Sequence, residues 1–171
     1  MTQTIQLDHS HHINSNIKFP LCYLAHNIDD PANIGSFFRI ADAMGVSRII
    51  LTGTSPVPPD KKIKRASRST ENYVEYFHHK ENVEVIKDLR REGYTIVTLE
   101  ITSTSVDIRC IDFDKYQKIC LVLGSEKNGV DQYLLSQSDY IVHIPMLGKN
   151  SSMNVASACA IATFEIIKKR F

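Results

Sequence analysis

Leu21-Cys22-Tyr23-Leu24-Ala25 is an unbroken run of predominantly apolar residues of strand length. A strand that offers apolar side chains to both sides must be covered on both sides, which favours parallel strands flanked by helices. The run stops at His26-Asn27-Ile28-Asp29-Asp30-Pro31. Asp30 is a good helix N-cap and Pro31 suits the first helical position. Ile34, Phe37, Phe38, Ala41 and Met44 then recur at helical spacing until Gly45. Arg48 to Thr52 gives a second buried-type strand closed by Gly53, so residues 21–52 read as one βαβ unit.

The rest of the chain continues that alternation. Thr54 to Asp60 is rich in turn residues and leads into Lys61-Lys62-Ile63-Lys64-Arg65-Ala66-Ser67-Arg68, read here as a loop that delivers a basic patch. A surface helix is expected from Glu81 to Glu92, ending at Gly93. Strands follow at Tyr94–Leu99, Ile119–Leu123 and Tyr140–Ile144, with a short helix around Asp131–Ser136 and a final helix from about Ser152 to Lys169. The expected fold class is α/β with a parallel sheet covered on both faces. The first 18 residues are polar and aperiodic and read as a flexible arm, leaving residues 19–171 as one domain.

Composition narrows the function classes. Hydrophobic residues make up 43% and charged residues 23%, as in an ordinary globular chain. Lys plus Arg number 20 against 19 Asp plus Glu, so a polyanion has to be met by a local patch, not by bulk charge. Cys22, Cys110, Cys120 and Cys159 stand singly, without metal-ligand spacing or a disulfide pattern, so no metal is expected and a reducing cytoplasm is. No apolar stretch approaches membrane-spanning length, and no secretory leader is apparent.

Three segments differ from generic α/β connections. Asn33-Ile34-Gly35 with Arg39 opens the helix after the first strand, where ligands of open α/β sheets bind. Asn33, Ser36 and Arg39 are expected on one side of that helix, opposite Phe37, Phe38 and Ala41. The bland alternative is a cap and a solvated charge. Leu123-Gly124-Ser125-Glu126-Lys127-Asn128-Gly129 ends a later strand in an acidic turn, unlike a phosphate loop. Glu126 either serves function or merely accepts loop amides. Ile144-Pro145-Met146-Leu147-Gly148-Lys149-Asn150-Ser151-Ser152-Met153-Asn154 runs from a strand into the last helix, which Ser152 would cap.

Taken together, NxGxxxR, GSExxG and IPMxGxxSSMN resemble the three signature motifs of the SpoU/TrmH family of RNA ribose methyltransferases, in the SPOUT superfamily, over the chain from Leu21 to the C-terminus. Met153 and Ala156 depart mildly from the usual Leu and Ser. The resemblance implies a parallel α/β sheet with a C-terminal deep trefoil knot, a homodimer, and S-adenosylmethionine bound by the knotted loops. It implies a cofactor pocket of Leu99, Glu100, Leu123, Gly124, Ile144, Met146 and Met153. It assigns Arg39 as catalytic, with Asn33, Glu126, Ser152 and Asn154 positioning groups around it. No N-terminal RNA-binding domain of the kind some relatives carry is expected.

The expected activity is methylation of a ribose 2′-hydroxyl in structured RNA, tRNA before rRNA. The rival readings are an inactive RNA-binding module of the same fold and a methyltransferase acting on a base nitrogen. Arg39 is described in the family as a general base. A guanidinium with a pKa above ~12 stays protonated, so a phosphate clamp and oxyanion stabiliser is physically easier. Lys61, Lys62, Lys64, Arg65 and Arg68 are the expected RNA contacts. A Rossmann oxidoreductase is excluded by the missing glycine fingerprint.

Overall fold

The computed structural model describes residues 4–6, 11 and 16–170. Most of the arm expected over residues 1–18 therefore lies outside the described residues. Strand β1 (Phe19–His26) contains the apolar run, and its alternation feeds two cores. Leu21, Tyr23 and Ala25 enter one, while Cys22 and Leu24 enter the other. Helix α1 (Pro31–Ala43) follows, with the Asp30 carboxylate accepting the Ala32 amide at 3.0 Å, and β2 (Val46–Thr52) completes the unit.

The remaining elements are α2 (Lys61–Ser67), β3 (Glu75–His79), α3 (Asn82–Arg91), β4 (Tyr94–Leu99), β5 (Val106–Asp107), β6 (Lys118–Leu123), α4 (Gln132–Ser136), β7 (Tyr140–His143) and α5 (Val155–Ile167). The strands form one 7-stranded sheet in the order β3-β2-β1-β6-β4-β7-β5, and its pairings are parallel. From the neighbours β1 and β6 the chain departs in opposite directions, β1 toward β2 and β6 toward β7. That divergence opens a crevice at the strands' C-terminal ends, where ligands of such sheets bind.

Helices α1 and α5 cover one face, through Ile34, Phe37 and Phe38 of α1 and Cys159, Ala162 and Ile166 of α5. Helices α3 and α4 cover the other with Val85, Ile86, Leu89 and Leu134. Phe37 is fully buried and meets Tyr23 edge-on at 6.4 Å, while Phe38 meets Tyr76 at 5.4 Å. Truncating Phe37 to Ala would cost about 3–5 kcal/mol.

The sequence expectation needs three corrections. The basic segment is not a loop: Asp60 caps it by accepting the amides of Lys62 and Ile63, and Ile63 gives it a buried side. Edge strand β3 was not anticipated, because Glu-Tyr-Phe-His-His lacks an apolar run. Helix α5 begins at Val155, capped by Asn154 and not by Ser152. A glycine fixes how the first two helices meet. A Cβ on Gly35 would lie 2.5 Å from the Ile63 carbonyl and 2.7 Å from the Ala66 Cβ, so only glycine lets α2 sit this close on α1.

Cys22, Cys120 and Cys159 are buried and Cys110 is exposed. Among the described residues no helix is long and apolar enough to cross a membrane, and no group of three or more His, Cys, Asp or Glu is placed to hold a metal.

Candidate active site

A cavity of about 490 Å³ lies beyond the C-terminal ends of β4, β6 and β7 and is closed by the segment entering α5. Leu99 and Glu100 line it from β4, Leu123 and Gly124 from β6. Ile144 and Met146 line it beyond β7, and Met153 ahead of α5. Glu126, Ser152 and Asn154 share its wall. Ile101, Ser125, His143, Val155 and Ala158 also line it without having been singled out. The first three adjoin residues that were, and Val155 and Ala158 lie three apart on one side of α5.

One chain of hydrogen bonds joins the three motif loops. The Glu126 carboxylate accepts the Asp29 amide at 2.9 Å and the Asn33 side-chain amide at 2.5 Å. Asn33 Oδ1 accepts from Asn154 Nδ2 at 3.0 Å. Asn154 Oδ1 in turn takes the amides of Ala156 at 2.9 Å and Ser157 at 3.1 Å, which starts α5. Partial burial pushes the Glu126 carboxyl up, but the Asp29 amide and the Asn33 side chain outweigh it and hold it below the usual carboxylate range. Both its oxygens already accept protein N–H groups. The Glu126 carboxylate thus ties the segment after β1 and the start of α1 to the loop after β6.

Glu100 performs a parallel task, accepting the amides of Ile101 at 2.8 Å and Val130 at 3.0 Å. Gly124 is explained by this loop's own packing: a Cβ there would stand 2.5 Å from the carbonyl carbon and oxygen of Gly129. Its smallness folds the loop back on β6.

Asn33 and Arg39 do not share a side of α1, in contrast to the expectation. Six residues at about 100° each place them about 120° apart. Asn33 is buried beside Phe37, and Arg39 is exposed. Arg39 does not line the cavity and makes no ion pair among the described residues. It follows Gly35 by one turn, on the stripe of α1 that meets α2. Lys61, Lys62, Lys64, Arg65 and Arg68 are all exposed. The cations therefore gather around α2, and the polar relay gathers around the cavity.

Behind the relay, buried His26 joins four elements. Its Nε2 is 2.9 Å from Asp131 Oδ2, its Nδ1 3.0 Å from Thr52 Oγ1, and Asn82 Nδ2 approaches at 3.1 Å. Burial pushes the imidazole pKa down, Asp131 opposes it, and the net shift is downward.

A parallel α/β sheet with a small-molecule cavity at its switch point and three interlocked polar loops around it defines a ligand-binding α/β protein with the layout of an enzyme. The chain belongs to the SpoU rRNA methylase family, whose profile matches residues 20–164. A Staphylococcus saprophyticus protein named for the TrmH family of tRNA/rRNA methyltransferases is 28% identical over 153 residues, 90% of this chain and 60% of that protein. The chain thus spans about 60% of the length of that relative. An S-adenosylmethionine-bound rRNA methyltransferase from Sinorhizobium meliloti superposes with a TM-score of 0.83 at 28% identity, over 88% of this chain and 57% of that one. The methyltransferase AviRb of Streptomyces viridochromogenes, in complex with the same cofactor, gives 0.80 at 28% identity, over 92% and 62%.

Proposed function

We propose that the chain methylates a ribose 2′-hydroxyl of structured RNA, tRNA in preference to rRNA, with S-adenosylmethionine as methyl donor. The observation that carries this reading is the convergence of Leu99, Glu100, Leu123, Gly124, Ile144, Met146 and Met153 on one cavity. A volume of about 490 Å³ suits a nucleoside-sized ligand, and strand-end backbone with apolar flanks suits adenine and ribose. When bound, the sulfonium supplies an electrophilic methyl group.

The chain's own residues supply position and charge. Glu126 and Asn33 hold the loops after β6 and β1 together, and Asn154 fixes the entry to α5. Arg39 clamps an RNA phosphate through its planar fork and stabilises oxyanion character as the hydroxyl oxygen attacks. The hydroxyl proton leaves late, to solvent. Because Arg39 stands outside the cavity of its own protomer, the complete site is proposed to form in a homodimer. Ile161 and Phe164, 45% and 55% exposed on α5, offer a partner an apolar face. A C-terminal knot belongs to the same proposal: β7 is inserted between β4 and β5, strands laid down earlier in the chain. Unpaired thiols favour a cytoplasmic setting.

Calorimetry in a chelator should give one S-adenosylmethionine site per subunit, and nucleoside mass spectrometry of RNA from cells with and without the protein should reveal a lost 2′-O-methyl nucleoside. A lost base-methylated nucleoside would select the rival chemistry. Absence of cofactor binding, with and without RNA, would end the methyltransferase reading.

A further inference from the structure

We propose that a second cavity, between the 58–60 turn, α2 and the turn at 70–72, binds one unpaired nucleotide of the RNA. This rests on the RNA reading above and adds the kind of RNA element recognised. The cavity measures about 550 Å³ and is lined by Pro58, Pro59, Lys61, Lys64, Asn72 and Tyr76, together with Asp60, Ile63 and Glu71. None of these residues lines the first cavity.

Its lining pairs two carboxylates with two ammonium groups, and the two kinds are engaged differently. The Asp60 carboxylate is engaged by the amides of Lys62 at 2.7 Å and Ile63 at 3.0 Å, and Glu71 accepts the Ser67 hydroxyl. The ammonium groups of Lys61 and Lys64 have no ion-pair partner among the described residues. Each acid is thus engaged by the protein through one oxygen, while two exposed cations line the same cavity.

Its apolar wall suits a base. The Tyr76 ring is held edge-on by Phe38 at 5.4 Å and an interplanar angle of 89°, and the two prolines add flat, rigid surface. Asn72 presents an exposed side-chain amide with both a donor and an acceptor. The chain reaches this arrangement through Arg68 and Ser69, both non-glycine residues at left-handed φ of 56° and 71°, which turn it back over α2. Such backbone is uncommon and is retained where the surroundings require it.

A duplex shows proteins its phosphates and base edges, whereas a base face enters a concavity only when the nucleotide is unpaired or extruded. Lysines for the phosphate, a fixed aromatic wall for the base face and an amide for its edge match that ligand. Helix α2, which lends Lys61 and Lys64 to the cavity, packs through Ile63 and Ala66 on Gly35 of α1, one turn before Arg39.

Two measurements on the full chain test this. In an NMR titration, uridine or adenosine 5′-monophosphate should give saturable shifts at Lys61, Lys64, Asn72 and Tyr76, and inorganic phosphate should need at least roughly tenfold higher concentration, the scale of base–aromatic stacking. Equal potency of phosphate, or no saturable shift, overturns the inference. Second, Asn72→Trp fills the cavity without changing charge. It should weaken binding of a tRNA transcript about tenfold, with an unchanged salt slope and unchanged S-adenosylmethionine affinity. Wild-type-like RNA binding by this variant overturns the inference while leaving the functional reading intact; Tyr76→Leu replaces it if the tryptophan variant misfolds. Failure of the wild-type chain to bind both transcript and cofactor overturns both.

Discussion

The loops around the first cavity and the surface around α2 treat polar groups in opposite ways. In the loops, Glu126, Asn33, Asn154 and Glu100 spend their hydrogen-bonding capacity on one another and on backbone amides. Around α2, Lys61, Lys62, Lys64, Arg65, Arg68 and Arg39 are exposed and lack ion-pair partners among the described residues. A small ligand is best served by a shape that exists before it arrives, because little ordering cost then falls on binding. A polyanion is best served by charges left uncompensated, because neutralising them releases its counterions.

Substitutions can separate the two regions. The largest effect is expected at Arg39. Arg39→Ala should lower the single-turnover rate of methyl transfer roughly 10²–10³-fold, the scale of losing a donor to a developing oxyanion, with cofactor affinity intact. Arg39→Lys should keep part of the rate and a pH profile of unchanged shape. A titration that moves with the introduced lysine would replace the clamp by a base.

Next come the relay residues. Asn154→Ala removes the α5 cap and should lower stability by about 1 kcal/mol. Glu126→Gln replaces a charge-assisted acceptor on an exposed residue and, after screening by solvent, should cost about 0.5–1 kcal/mol. Chemical denaturation measures both, and cofactor calorimetry should show both variants weakened. Unweakened cofactor binding would dissolve the contrast between the regions.

A smaller change is expected from Lys64→Ala combined with Arg65→Ala. Losing two phosphate contacts should reduce the slope of log K against log salt by about 1.5 without altering stability or cofactor binding. An unchanged slope would mean that these cations are only solvated.

The smallest effect concerns pH. His26 has a folded pKa below its ordinary value, so between the folded value and about 6.5 the unfolded chain binds more protons. Its contribution is complete above about 6.5 and is lost as the pH falls toward the folded value. Glu126, also lowered, acts in the same direction in a more acidic window, below about 4.3. Melting temperatures should therefore decline first on acidification below about 6.5, and His26→Gln should flatten that first decline only.

The sequence made β1, α1, β2 and the later core strands legible because each buries enough apolar surface to leave a periodic trace. Helix α2 left little trace, with Ile63 as its buried apolar residue among exposed cations. Strand β3 left none, since a short edge strand needs no second apolar face. The motif loops were recognisable by resemblance, yet the relay was not, for its partners lie 93 and 121 residues apart. Ser152 looked like the cap because local spacing cannot tell which of two neighbouring polar side chains turns back onto the helix. Asn154 does so while also holding Asn33.

The placement of the thiols offers an experimental handle. Burial pushes Cys159 up to about 12 and Cys120 well above its ordinary value, so neither supplies thiolate at neutral pH. Cys110 alone of the four is open to solvent, in the short turn that follows edge strand β5. A maleimide fluorophore should therefore attach at one position of the unmutated chain, at the opposite edge of the sheet from β3. Late reaction of Cys22, Cys120 and Cys159 would then act as a clock for global opening, and a cofactor that binds the folded state should slow that clock as its concentration rises.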